Sequence, residues 1–135
     1  MLWARRESLV LLVQSAVDPT LEEWDGFLDG TSAAMSENAG RCRVLVFTLG
    51  GKPDSEKRAR SLDRGWRDNK DSPVVVVTSD PLARGVITVF SWFGMNIRTV
   101  TEQHLEQAYA RLELSTAERR WVTLERKILQ ERLKR

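Results

Sequence analysis

The sequence contains few of the residues that most catalytic and metal sites require. Among its 135 residues there is one cysteine and one histidine, which excludes an internal disulfide and a cluster of Cys and His metal ligands. His104 falls in a predicted surface helix, with Glu102 and Glu106 as its acidic neighbours, and no nucleophile motif such as G-x-S-x-G occurs. We therefore predict that the protein is not an enzyme and that it has no metal or cofactor.

Long apolar runs are also missing. The longest, such as Leu9 to Val13 and Val74 to Val77, are far shorter than the roughly 20 residues that a membrane-spanning helix needs. The apolar stretch behind Arg5 and Arg6 ends without a small-residue cleavage pattern, so we expect no signal peptide. The lone Cys42 lies beside a predicted buried strand, as a small core residue would. These features favour a cytoplasmic protein without membrane insertion.

What the sequence does contain is typical of one soluble folded domain, since hydrophobic residues make up 41% and charged residues 30%. Apolar runs rich in β-branched residues alternate with segments of helical periodicity. Strands are predicted at about residues 2–5, 8–17, 43–48, 74–77 and 96–100. Helices are predicted from 20 to the high thirties, from 54 or 55 to 69, from 81 to 93, from 101 to 112 and from 115 onwards.

This order of elements predicts an α/β fold with a mixed, largely parallel sheet of four to five strands. Right-handed crossover connections would place helices over the sheet. Residues 1–114 would form the α/β domain. Residues 115–135 would add an amphipathic helix to the same domain, beginning at a capping box formed by Ser115 and Glu118.

The loops that follow the parallel strands are the expected place for a ligand or partner. Gly50, Gly51 and Lys52 precede a predicted helix, where free backbone N–H groups could hold an anion. The spacing is not that of a P-loop, so a flexible turn with a helix cap is favoured over a nucleotide site. Trp66 falls on the same polar helix, where it would either pack inwards or serve as an exposed interface anchor.

The last predicted helix is amphipathic and basic. Its apolar residues Trp121, Leu124 and Ile128 belong to a stripe that is wider than packing on a sheet requires. Part of the stripe should contact either another part of this chain or a second copy, and a homodimer through this helix is the favoured interpretation. Residues 115–135 contain seven Lys or Arg and three Glu. Because these charges alternate along the helix, a solvated face is favoured over a nucleic-acid site.

Two stretches of the sequence resemble the STAS domains of bacterial anti-sigma-factor antagonists. One is Arg43 to Thr48 followed by a loop and the pair Asp54 and Ser55, and the other runs from Val74 to Asp80 and from Arg84 to Phe93. The likeness covers residues 1–114. It implies a hairpin-like start and a non-catalytic module that binds a protein partner in a bacterial signalling or partner-switching system.

In that family a kinase phosphorylates the serine of the Asp-Ser pair and so breaks the complex, which implies phosphorylation at Ser55. The sequence departs from the family pattern at Glu56 and Lys57, where the family has a small hydroxyl residue and glycine. The expected partner surface comprises Gly50, Gly51, Lys52, Asp54, Ser55, Arg58 and Trp66. The alternative is a protein that holds a small ligand, a nucleotide or a lipid, beneath the aromatic helix predicted over residues 81–93.

Overall fold

A computed structural model describes residues 1–80, 85 and 95–134. Its five-stranded sheet has the order β1 (Leu2–Arg6), β2 (Leu9–Gln14), β3 (Arg43–Thr48), β4 (Val74–Val77) and β5 (Ile97–Val100). The first two strands form an antiparallel hairpin, and all the other neighbours are parallel. The predicted α/β class and largely parallel sheet are confirmed. The helix predicted between Pro81 and Gly94 lies outside the described residues, apart from Gly85.

The central strands are apolar on both sides because both faces of the sheet are covered. Successive side chains of a strand point to opposite faces, so each strand contributes to two cores. We call one side the crossover face; its strand residues are Val10, Leu12, Val44, Val46, Val74, Val76 and Ile97. We call the other side the C-terminal face; its strand residues are Leu9, Leu11, Val13, Leu45, Phe47, Val75 and Val77.

Two helices between strands cover the crossover face. Helix α1 (Leu21–Glu37) begins at a capping box formed by Thr20 and Glu23, and it packs against β1 and β2. It buries Trp24, Phe27 and Leu28 in the core of this face. The shorter α2 (Ser55–Ser61) begins at Asp54 and continues into a π-helical turn, Leu62–Trp66. Both helices lie on the same face, as expected when sequential parallel strands are joined by crossovers of one hand.

The helices that follow β5 cover the opposite face. A 3-10 turn (Glu102–His104) leads into α3 (Leu105–Arg111), and α4 (Thr116–Leu133) starts at the predicted capping box of Ser115 and Glu118. Val122 and Leu129 of α4 are fully buried within the C-terminal face. The last helix is therefore part of the domain core.

Several predicted boundaries differ from the structure. The second strand ends at Gln14 rather than Val17, because Ser15 to Asp18 turn towards α1. The helix predicted to run to residue 69 is interrupted, since Arg64 and Gly65 have non-helical backbone angles and Gly65 has φ 108°. The helix predicted from residue 101 begins as a 3-10 turn.

Candidate binding site at the carboxyl ends of the strands

Three loops converge where the parallel strands end, as the sequence predicted. We call this region the carboxyl edge and define it as residues 15–20, 49–54 and 78–80. The backbone N–H of Gly51 donates to the carbonyl of Ser15 at 2.9 Å, which joins the first two loops. A side chain at Gly50 would meet the carboxylate of Asp80 at 2.6 Å, so the third loop also lies against the second. The edge is therefore a connected surface.

The glycine loop uses its own backbone donors internally. The N–H of Gly50 donates to the Thr48 hydroxyl at 3.1 Å, and the N–H of Lys52 donates to the Asp18 carboxylate at 3.1 Å. With the Gly51 bond to Ser15, all three of these N–H groups have protein acceptors. A phosphate would have to break these bonds to bind here, so the geometry disfavours an anion cradle at Gly50 to Lys52 and favours the predicted turn.

The start of α2 presents an exposed serine next to an ionised cap. The Asp54 carboxylate accepts from the backbone N–H of Lys57 at 3.0 Å and from its ammonium group at 3.0 Å. These two bonds, the backbone one first, hold the pKa of Asp54 below its usual value. Ser55 is exposed at the first position of the helix, and Arg58 is partly exposed. The structure therefore brings Lys52, Asp54, Ser55 and Arg58 to one end of α2.

Two apolar residues of the carboxyl edge were not identified from the sequence. Leu49 is 78% exposed and Val17 is 76% exposed, although both follow buried strands. They lie on loops that the Gly51 to Ser15 bond joins. The sequence indicates their exposure only through their position, since each lies just beyond the end of a strand and beside a turn. Large exposed apolar side chains on a fixed loop surface are typical of contact residues.

Trp66 does not belong to this surface, so its assignment as an exposed partner contact is wrong. Its side chain is 3% exposed and packs in the core of the crossover face. The indole N–H donates to the Thr31 hydroxyl of α1 at 3.3 Å. Gly50 and Gly51 are also buried, and they shape the loop without presenting side chains.

A large groove lies beside the carboxyl edge on the C-terminal face. It encloses about 970 Å³ between the ends of β2 to β4 and the second half of α4, and we call it the α4 groove. The guanidinium of Arg126 lies 3.8 Å from the centre of the Phe47 ring within it. Arg126 also forms an ion pair with Glu102, which joins α4 to the 3-10 turn. No local pattern in the sequence indicates this groove, because its walls come from distant segments.

The outer side of α4 carries the residues predicted for dimerisation. Leu124 is 59% exposed and Ile128 is 51% exposed, one helical turn apart. Trp121 instead packs against the core of the C-terminal face and is only partly exposed. The structure therefore leaves two of the three residues available to a second copy.

The crossover face contains a smaller, apolar cavity. Its volume is about 90 Å³, and Trp24, Phe27, Trp66, Met95 and Ile97 are among the residues that line it. A cavity of about 150 Å³ accommodates benzene, so this space is smaller than a benzene site. The aromatic helix beneath which a nucleotide or lipid is predicted lies outside the described residues, apart from Gly85.

The remaining chemically distinctive residues do not form a reactive site within the described residues. Cys42 is buried, and burial raises the pKa of its thiol to about 12. His104 is exposed on the 3-10 turn. No group of three or more metal-binding side chains comes together in the described ranges. Over the same ranges, no helix has both the length and the apolar character needed to cross a bilayer.

Comparison of the chain with protein-family models, with curated proteins and with solved structures gives no match.

Proposed function

We propose that the protein is a non-catalytic, STAS-like interaction module of a bacterial regulatory system and that it binds a protein partner through the carboxyl edge. The observation that carries this proposal is the pair of exposed apolar residues, Leu49 and Val17, on hydrogen-bonded loops. Apolar side chains held on a rigid surface lose little conformational freedom on binding, so they contribute well to an interface.

Polar residues on the same loops and at the start of α2 are suited to the rim of an interface. Lys52 is partly exposed and lies 3.7 Å from the Asp18 carboxylate. Asp54, Ser55 and Arg58 follow at the start of α2. An apolar centre with a charged border is the usual arrangement at protein interfaces. The hairpin start and the sheet of sequential parallel strands support the STAS-like part of the proposal.

Substitution of Leu49 provides the direct test. Wild-type protein would be immobilised and used to capture partners from a lysate of the native cell, and the affinity of each captured protein would then be measured with purified components. We expect Leu49→Ser to weaken the specific partner's binding by about tenfold or more, because a central apolar contact is lost.

Leu124→Ser is the matched control. It changes another exposed leucine in the same way, but on α4 and outside the carboxyl edge. Thermal melts would verify that both variants fold. Equal affinities of wild type and Leu49→Ser, or equal losses in both variants, would contradict the assignment of this surface.

A further inference from the structure

The α4 groove contains a buried arginine donor without a hydrogen-bond partner. The terminal nitrogens of Arg126 donate to the Glu102 carboxylate, one of them at 3.3 Å to Oε2. The Nε–H of Arg126 is buried and has no acceptor among the described residues. Buried donors are nearly always paired, so a ligand that drew the guanidinium away from Glu102 would also supply the acceptor that this nitrogen lacks.

A second arginine of the same helix shows that this arrangement is not general. Arg119 also lies over an aromatic ring, 5.3 Å from the centre of Tyr109, and it pairs with Glu106 at 2.7 Å. Its Nε, however, donates to the carbonyl of Leu114 at 3.5 Å. Arg119 does not line the α4 groove. The unpaired donor therefore belongs to the arginine that lines the α4 groove.

The charges of the groove favour an anion. Arg126, Lys127 and Lys134 line it, against Glu102 and Glu131. Glu102 pairs with Arg126 and Glu131 pairs with Lys134, whereas no ion pair involves Lys127 within the described residues. Arg126 lies about two turns before the end of α4, where the negative end of the helix dipole has little effect.

The other polar groups of the groove suit a ligand with several hydroxyls. Ser79 and Thr101 contribute hydroxyl groups, whereas the hydroxyls of Ser15, Thr48 and Thr78 already accept backbone N–H groups of their own loops. Gln103 and Gln130 add amide groups, while the Gln14 amide already donates to the sulfur of Met1 at 3.3 Å. The volume of about 970 Å³ lies at the upper end of the range for small-molecule sites.

We propose that the α4 groove binds a small polyhydroxylated phosphate ester, of the size of a sugar phosphate or a mononucleotide. The phosphate accepts from Arg126, which binds it in competition with Glu102. The hydroxyl and amide groups contact the rest of the ligand. This site adjoins the partner surface at the carboxyl edge, and Leu49 lies on the boundary because it also lines the groove.

Isothermal titration of the full chain with ribose 5-phosphate and with AMP tests the proposal. We expect saturable binding of at least one of them to wild type and at least tenfold weaker binding to Arg126→Gln. Glu102→Gln should bind the same ester more tightly, because it removes the competing carboxylate. That gain is the opposite of the effect expected from damage to the fold.

Arg119→Gln is the matched control and should bind like wild type. Ribose and adenosine test the need for the phosphate, and inorganic phosphate tests the need for the rest of the ligand. The proposal is overturned if neither ester binds at millimolar concentration, or if Arg119→Gln loses as much affinity as Arg126→Gln. It is also overturned if the unphosphorylated compounds, or inorganic phosphate alone, bind as tightly as the esters.

Discussion

At the scale of single residues, the environment of Ser55 decides what a phosphate there would do. Ser55 is exposed and follows Asp54, whose ionised carboxylate already accepts two bonds from Lys57. A phosphate would add about −1.5 to −2 charges at the same helix end, where the helix dipole stabilises them. It would also change the charge of the surface near Lys52.

We predict that Ser55 is phosphorylated by a kinase of the native cell and that the modification weakens partner binding by roughly tenfold. The free energy of unfolding should change by less than about 0.5 kcal/mol, because the side chain is exposed. Mass spectrometry after incubation with native lysate and ATP would locate the phosphate. Ser55→Ala is the control, and an unmodified Ser55 in the wild-type protein would refute the prediction.

The burial of Trp66 shows where helical periodicity fails. Trp66 lies on a highly polar segment, so the sequence allowed an exposed side chain there. Helical periodicity places a side chain correctly only if one helix continues through the residue. The chain departs from helical geometry at Arg64 and Gly65, and Trp66 then lies against α1. A single glycine with a positive φ therefore redirects the side chain that follows it.

At the scale of whole elements, the apolar residues of α4 lie on two sides of the helix. The inner side packs on the sheet, and the outer side faces away from it. Val122 and Leu129 fill the core of the C-terminal face, whereas Leu124 and Ile128 are exposed. The breadth of the apolar stripe was visible in the sequence. Which half faces the sheet depended on how the helix lies across β1 and β2.

We predict that the protein forms a homodimer through Leu124 and Ile128. Replacing both with serine should shift the species at high micromolar concentration from dimer to monomer, because the exposed apolar contact is removed. Sedimentation equilibrium would measure the mass. The matched control is the double variant Val17→Ser and Leu49→Ser, which removes two exposed apolar side chains at the carboxyl edge instead of on α4. A monomer mass for the wild-type protein would rule out this dimer.

At the scale of the molecule, one ion pair connects three parts of the fold. Arg43 begins β3, and its guanidinium bonds to the Ser8 hydroxyl, to the carbonyl of Leu112 and to the Glu118 carboxylate of α4. The side chains of Arg43 and Glu118 are only 16% and 14% exposed. The same Glu118 completes the capping box with Ser115. This pair therefore fixes the start of α4 to the sheet.

The pair should make stability depend on pH. The hydrogen bond from Arg43 is the main cause that holds the pKa of Glu118 below its usual value near 4.5. A carboxyl with a lowered pKa in the folded state stabilises that state above the unfolded pKa, and this contribution is lost as the pH falls through the folded pKa. We expect Glu118→Gln to lower the free energy of unfolding by about 2–3 kcal/mol at pH 7.

Urea denaturation between pH 7 and pH 3 would check this prediction. The difference between wild type and Glu118→Gln should shrink as the pH falls below about 4.5. Comparison with the variant is needed because the pKa values of Glu23, Asp25 and Asp54 are also lowered. A difference that stays constant over this range would show that ionised Glu118 does not contribute as described.

The sequence by itself determined the alternation of elements and the largely parallel sheet, because strands covered on both faces must be apolar throughout. It also determined the capping box at Ser115 and Glu118, which depends only on neighbours in the chain. Local spacing and composition are sufficient for such features.

Only the tertiary structure decided what those elements enclose. The strands follow one another in sequence order, so the described crossover helices α1 and α2 share one face. Helices α3 and α4 cover the opposite face, and α4 forms a layer of the core there. That placement creates the α4 groove, because it brings Arg126 over Phe47, which lies 79 positions earlier in the sequence. Contacts of that separation depend on packing and leave no local pattern in the chain.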